Sequence, residues 1–356
     1  MMTQDFGMNP EESLAPTGRL DSLTASNRHV LVIGGAGYIG SILVPKLLDR
    51  GCQVRVLDKL IYNNGSSIAD LSEDINFSFI RGDFGDLAVL DKALEDITDV
   101  VLLAALVGDP ICKKYPEMAR NTNLIYPIQL FERMKESSVH RFVFTSTCSN
   151  YGLRDDDTPA DEQSALNPQS LYAETKVAFE KHILSSLPGI NFCPTILRLS
   201  TAYGISKRMR FDLSISEFTR DLALGKDLLV YDENTWRPYC HISDISEAIL
   251  KVLEARPKEV FGQVFNVGSD DGNYTKKMLV ELITKYIPDA VVNYKKGGFD
   301  PRNYRVSFDK IHRVLEFGTE FTAEDSVKGL IKAIRGNLFP DMEERRNFYG
   351  NYVINE

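Results

Sequence analysis

From His29 onward the chain repeats one unit: a short apolar run rich in β-branched residues, then a stretch with apolar residues at helical spacing. The runs are HVLVIGG (29–35), QVRVLD (53–58), FSFIRGD (77–83), DVVLLAA (99–105), RFVFTST (141–147) and CPTILRL (193–199). Helical segments lie before or between most of them, among them YIGSILVPKLLDRG, whose helix stops at Gly51. Strands alternating with helices demand a parallel sheet covered on both faces, so the expected fold class is α/β, a Rossmann-type doubly wound sheet. After about Arg198 the alternation breaks down. Residues 201–238 read as looser, and 270–350 mix helices with loops rich in Gly, Pro and charge. The expected division is a tail over 1–27 and a dinucleotide-binding domain over 28–200, to which residues around 239–268 return. A smaller α/β lobe over 201–238 and 269–356 would cover the carboxyl ends of the strands.

Bulk properties exclude several functions. A chain of 356 residues with 43% apolar content can bury a substantial core. The formal net charge of −9 gives no general attraction for nucleic acid or an anionic membrane. No apolar run is long enough to cross a bilayer, and the acidic start MMTQDFGMNPEESLAP lacks the order of a secretory signal. Five scattered cysteines, without a CxxC pair or zinc spacing, read as reduced thiols in a cytoplasmic protein with no metal site.

Chemistry enters at the first turn. Gly34-Gly35-Ala36-Gly37-Tyr38-Ile39-Gly40 lies directly between the first strand and the first helix. Glycines at 34, 37 and 40 allow a tight turn, close approach to a pyrophosphate and close helix packing, while the helix N-terminus supplies donors. A plain glycine-rich turn has the same spacing, so the context matters. Asp58 ends the second strand, 18 residues past Gly40, where an acid binds the ribose hydroxyls of NAD and repels the extra phosphate of NADP. Lys59 beside it weakens that preference slightly.

Farther on, Tyr172 and Lys176 are four residues apart and share one helical face. Tyrosine is a poor base near neutral pH, and a neighbouring ammonium favours its phenolate. The same spacing also suits an amphipathic surface helix. Thr147 and Ser149 follow a buried strand about 25 residues upstream, where a hydroxyl can donate to a substrate oxygen while Tyr172 exchanges a proton.

These elements, with RGD at 81–83, LAA at 103–105, Asn123, RLSTAYG, WRPYCHISD and FNVGS in order, resemble the extended short-chain dehydrogenase/reductases. The branch is that of NAD-dependent nucleotide-sugar epimerases and dehydratases, UDP-glucose 4-epimerase-like in pattern. The resemblance covers His29 to about Phe317. It implies a catalytic set of Thr147, Tyr172 and Lys176, with Tyr172 and Lys176 also at the cofactor and Lys176 holding the nicotinamide ribose. Gly34, Gly37, Tyr38, Ile39 and Asp58 belong to the cofactor site. Asp83 and Phe84 would lie at the adenine, Ala104 and Ala105 along the cofactor, and Asn123 would support the site. The partner it implies is a nucleotide-diphosphate sugar, held by Arg237 and Arg302, with Ser149, Thr201 and Arg210 also on the substrate side. Relatives pair through two helices per subunit, so a homodimer is expected.

Departures narrow the reaction. Dehydratases of this kind carry Asp-Glu directly after the catalytic threonine, whereas here Cys148 and Ser149 stand there. Neither readily protonates a leaving hydroxyl or abstracts a carbon-bound proton, which argues against dehydration. An epimerase acting at C4 through a keto sugar is the leading expectation. A dehydrogenase or 4-keto reductase with the same residues is the first alternative, and a non-catalytic NAD-binding sensor or scaffold the second. Thr201 replaces a phosphate-binding Asn of relatives, and Pro238 replaces an Asp, so a less usual nucleotide sugar is expected. The loop Ser206–Arg210 is open between a phosphate contact and an exposed basic loop. Trp236 is open between stacking and packing. His241 is expected to be structural, Cys148 to be no nucleophile, and Asp155-Asp156-Asp157 to be a solvated run.

Overall fold

The computed structural model describes residues 27–154, 158–298 and 302–354. The residues read as a tail, as far as Ser26, and the run Asp155–Asp157 lie outside the described residues.

As far as Leu199 the chain forms strands β1 (His29–Ile33), β2 (Gln53–Asp58), β3 (Phe77–Arg81), β4 (Asp99–Leu102), β5 (Arg141–Thr147) and β6 (Cys193–Leu199). Then follow β7 (Thr201–Tyr203), β8 (Leu228–Tyr231), β9 (Trp236–His241), β10 (Val264–Val267), β11 (Asn273–Thr275) and β12 (Val292–Lys295). Seven of them make one parallel sheet in the order β10-β6-β5-β4-β1-β2-β3. Strand order reverses between β1 and β4, which leaves a crevice beyond their carboxyl ends, the place where open α/β sheets take ligands.

Alternation along the central strands divides the core. On β1, Val30 and Val32 point to one face and Leu31 and Ile33 to the other, all at most 1% exposed. One face packs with Val54, Val56 and the helices Gly40–Asp49 and Ile242–Glu254. The opposite face packs with Val100, Leu102, Phe142 and Phe144 and with the helices Tyr126–Met134 and Leu171–Ser185. Edge-to-face rings join that side, Phe131 on Phe192 at 5.1 Å and Phe144 on Phe179 at 4.7 Å.

A three-stranded sheet (β11-β9-β7) and a two-stranded sheet (β12-β8) belong to the second half. The stretch 201–238 is more regular than its sequence suggests, since it contains the helix Ser214–Ala223. Six of that helix's ten residues are polar, yet Ile215, Phe218 and Leu222 recur at helical spacing and are buried with Leu279, Ile283, Val327 and Ile331. A further cluster joins Tyr38 of the glycine turn to Met209, Phe211, Phe339, Phe348 and Tyr349. Among the described residues no helix is long and apolar enough to cross a membrane.

Candidate active site

A cavity of about 1270 Å³ opens at the carboxyl ends of β1, β4, β5 and β6, at the strand-order reversal. Pairing of Ile33 with Leu102 brings the two strand ends level, and the Ala104 amide donates to the Ile33 carbonyl at 2.8 Å. Gly34 therefore faces Ala104 directly. Its φ of +88° is one that side chains avoid, and a Cβ there would lie 2.6 Å from the Ala104 nitrogen. The turn then leads into the helix Gly40–Asp49, and Gly34, Gly37, Tyr38 and Ile39 all line the cavity.

Asp58 stands beside this turn. Its carboxylate accepts from the Ala36 amide at 3.0 Å and the Leu60 amide at 2.8 Å. Burial pushes its carboxyl upward, and those two donors oppose the shift. Lys59 is drawn away to Asp83 at 3.0 Å. Asp83, Phe84, Ala104 and Ala105 line the same wall. Asn123 is set back from it. Its amide accepts from the Leu106 nitrogen at 2.8 Å and donates to the Leu106 oxygen at 3.0 Å, which fixes the loop that follows Ala105. It positions the wall rather than forming it.

Asn64 was missed from the sequence, where it is one polar residue in a loop. It is buried on the cavity wall, donates to the Ala36 carbonyl at 2.7 Å, and its Oδ1 has no partner among the described residues. A buried acceptor left unsatisfied is costly unless a ligand donates to it. The glycine cradle, the buried acid beside it and this orphan acceptor fit a dinucleotide.

Thr147, Tyr172 and Lys176 converge on the cavity from β5 and the helix Leu171–Ser185. The Thr147 hydroxyl lies 2.8 Å from that of Ser149 and accepts from the Ser149 amide at 3.1 Å. Lys176 Nζ is 5.9 Å from the centre of the Tyr172 ring and donates to the Thr145 carbonyl at 2.8 Å. Burial pushes the Lys176 ammonium down to about 7. Burial also pushes the Tyr172 phenol up, and Cys112 and Asp109 act in the same direction.

Below these residues is a network that sequence reasoning missed, because its members are far apart in the chain. Glu180, four residues past Lys176, pairs with Arg198 at 2.7 Å and accepts from Asn150 at 2.8 Å and from Ser146. Arg198 also donates to Tyr151 at 3.0 Å, and Tyr151 to Asn266 at 2.7 Å. It ties the helix of Tyr172 to the strand end of Thr147.

Arg210, Arg237 and Arg302 line the same cavity. Arg302 lies 3.2 Å from Asp109, and Arg237 donates to the Trp236 carbonyl at 2.6 Å and to the Arg302 carbonyl. Arg210 grips Asp212 through two bonds at 2.5 and 2.6 Å, so its charge is already balanced within the chain. Thr201 is on the wall as well. The loop Ser206–Arg210 is not an exposed basic loop. Arg208 and Arg210 are buried, and only Lys207 is exposed, at 2.5 Å from Asp70.

The remaining candidates settle as packing groups. His241 caps the helix Ile242–Glu254, stacks on Phe321 at 4.3 Å, and is pushed down to about 4 by burial. Trp236 lies under Arg305. Cys148 is buried with its thiol pushed up by burial, and Cys52, Cys112, Cys193 and Cys240 are also free and buried.

Fold and site together define an enzyme of the short-chain dehydrogenase/reductase kind. Residues 30–268 match the NAD dependent epimerase/dehydratase family. The chain belongs to that family, and NAD is its cofactor. It is 28% identical to the UDP-glucose 4-epimerase of Corynebacterium glutamicum, over 82% of this chain and 91% of that one. It is 27% identical to UDP-arabinose 4-epimerase 1 of Arabidopsis thaliana, over 78% and 74%. Among solved structures, UDP-glucuronic acid 4-epimerase of Bacillus cereus, in complex with UDP-glucuronic acid and NAD, superposes with a TM-score of 0.78. The two are 25% identical over 86% of this chain and 99% of that one.

Proposed function

We propose that the chain is a nucleotide-sugar 4-epimerase working through a transient 4-keto sugar. The observation that carries this reading is the composition of the strand end beside Tyr172. Thr147 is followed by a buried thiol and a hydroxyl, without a carboxylate in that segment. This strand end therefore lacks the acid pair of a dehydratase, which leaves proton exchange there to Tyr172 in this reading, and proteins named as 4-epimerases are among the relatives.

When bound, NAD supplies a hydride acceptor and a positively charged ring. Tyr172 takes the hydroxyl proton at C4 and returns it after the sugar has presented its other face. Thr147 holds the sugar oxygen, and its own hydroxyl is oriented by Ser149. Lys176 stabilises the Tyr172 phenolate and holds the nicotinamide ribose. Gly34, Gly37, Tyr38, Ile39, Asp58, Asp83, Phe84, Ala104 and Ala105 form the cofactor side. Arg237 and Arg302, with Thr201, hold the diphosphate against a protein of negative overall charge. Arg210, locked to Asp212, shapes the wall beside them.

Two tests address the reading together. Acid release from freshly purified protein measures tightly bound NAD, and NMR of UDP-glucose, UDP-arabinose and UDP-glucuronic acid follows inversion at C4. Inversion without added cofactor is expected. Net consumption of NAD or NADH would make the enzyme a dehydrogenase or keto reductase instead, and bound NAD without turnover of any sugar nucleotide would make it a binding protein. We further propose a homodimer that pairs through the helices Tyr126–Met134 and Leu171–Ser185. Ile125, 44% exposed at the start of the first, would be covered there. A monomer in sedimentation would refute this.

A further inference from the structure

We propose that the segment Asn347–Ile354 forms the outer wall of the cavity beside Tyr172, and that Asn351 and Tyr352 on it set which nucleotide sugar is accepted. This inference rests on the reading of the cavity as a nucleotide-sugar site.

The segment lies beyond residues 30–268 that match the family, so this wall is additional to the matched region. It is anchored first by packing. Phe348 and Tyr349 are buried with Phe211 and Phe339, and the Phe211 amide donates to the Tyr349 carbonyl at 2.7 Å. Those contacts alone would hold the segment down. The chain goes on, however, and crosses to the cofactor side.

Two features of that crossing matter. Arg208 on the cavity wall sends its hydrogen bonds to neutral oxygens, several of them in this segment: Gly350 O at 3.3 Å and Asn351 Oδ1 at 2.8 Å. Asn351 then uses its other end, donating to the Val107 carbonyl at 3.3 Å. One side chain therefore joins the basic loop of the substrate side to the loop that follows Ala105. Beyond it, Ile354 is only 7% exposed and is buried with Leu106 and Ile111, in the apolar cluster against which Tyr172 packs.

Asn351 and Tyr352 both line the cavity. Gly350 is shaped for this, because a Cβ there would run into the Tyr352 ring. Ile354 and its neighbours exclude water from the side of Tyr172, and a sugar turning over in the cavity would meet Asn351 and Tyr352.

A chain ending at Gly350 keeps Phe348 and Tyr349 but loses the crossing, and Asn351→Ala and Tyr352→Ala probe it without truncation. Each NAD-loaded variant is titrated calorimetrically with UDP, UDP-glucose and UDP-glucuronic acid beside the parent. UDP affinity should stay within about twofold, while affinity for the better sugar nucleotide should fall about tenfold or more, in keeping with a lost pocket contact. The preference between the two sugars should change in Tyr352→Ala. Amide exchange over 348–354 in the full chain should slow with the sugar nucleotide and not with UDP. Unchanged sugar affinity in all three variants would overturn the proposal, as would tighter binding on truncation, which would make the segment a plug. A parent that binds neither UDP nor either sugar nucleotide would refute the nucleotide-sugar reading itself, and the inference with it.

Discussion

Lys176 donates to the carbonyl oxygen of Thr145 at 2.8 Å, deep in the cavity wall, where burial pushes its ammonium down to about 7. An ordinary lysine titrates near 10.4. Between those two values the unfolded chain holds a proton that the folded chain does not, so folding gains stability from this group as pH rises through the window. Below about pH 7 the residue is charged in both states and the full burial cost is felt. Lys176→Met should therefore raise the stability of the cofactor-free protein at pH 6 by on the order of 2 kcal/mol, after subtracting the lost hydrogen bond. The gain should shrink toward pH 10. Thermal unfolding of both proteins from pH 6 to 10 measures it, and a gain independent of pH would mean that Lys176 is not held in this way.

Tyr172 meets the opposite pressure, since burial and then the neighbouring Cys112 and Asp109 hold its proton on. Arg210 and Arg302 oppose that shift, and its use as a base depends on further positive charge from Lys176 and from the ligand. Tyr172→Phe leaves the cavity shape and the glycine turn intact. Turnover should fall about 10²- to 10⁴-fold, the range for loss of a positioned acid–base group, while NAD content is retained. Single-turnover assays with acid-released NAD as the control decide this. Unchanged turnover would remove Tyr172 from the chemistry.

What the sequence revealed, and what it hid, follows from the range of each signal. The parallel sheet was legible because each strand is a contiguous apolar run, and the glycine turn because its function lies in seven consecutive residues. The helix Ser214–Ala223 was hidden by its polar majority, although Ile215, Phe218 and Leu222 carry the periodicity. Asn64 and Asn351 were illegible for another reason. Each acts through a partner far off in sequence, Ala36 for the first and both Arg208 and Val107 for the second, and no local pattern records such a contact. Burial of Arg208 could not be read either, because three basic residues within Lys207–Arg210 look the same as a solvated loop until Asp212 and the segment at 347–351 are in place.

The pair Glu180–Arg198 offers a prediction in which stability and catalysis separate. Both side chains are at most 4% exposed, and Ser146 and Asn150 complete the bonding of the carboxylate. Removing one partner strands the other, at a cost of about 3–5 kcal/mol. Glu180→Ala should therefore lower the unfolding free energy by that order. A double variant, Glu180→Leu with Arg198→Met, should recover part of it, because two apolar groups leave no buried charge, although Ser146 and Asn150 lose their acceptor. Turnover should stay depressed in the double variant, since the strand end of Thr147 is no longer tied to the helix of Tyr172. Denaturant titration and steady-state assays on the same samples test both statements, and full recovery of turnover would show that the network serves stability alone.

Gly34→Ala tests the cofactor cradle from the backbone side. The residue has φ of +88°, and an added Cβ would lie 2.6 Å from the Ala104 nitrogen and 2.8 Å from its Cα. Neither atom can give way easily, because the Ala104 amide is bonded to Ile33 at 2.8 Å and Asn123 fixes Leu106 just beyond. The strained conformation alone costs about 1–2 kcal/mol, and the turn must shift to relieve the clash. Since the same turn leads into the helix Gly40–Asp49, a shift there would misdirect the amides proposed to meet a pyrophosphate. The variant should fold with reduced stability and should be purified with little bound NAD, weakening affinity more than about tenfold. Gly51→Ala is the control: its φ of +80° carries a similar strain, but a Cβ there meets nothing within 4 Å and the residue is not on the cavity wall. It should lose stability alone and keep its NAD. If both variants retained NAD equally, close approach of Gly34 to Ala104 would not be what shapes the cofactor site.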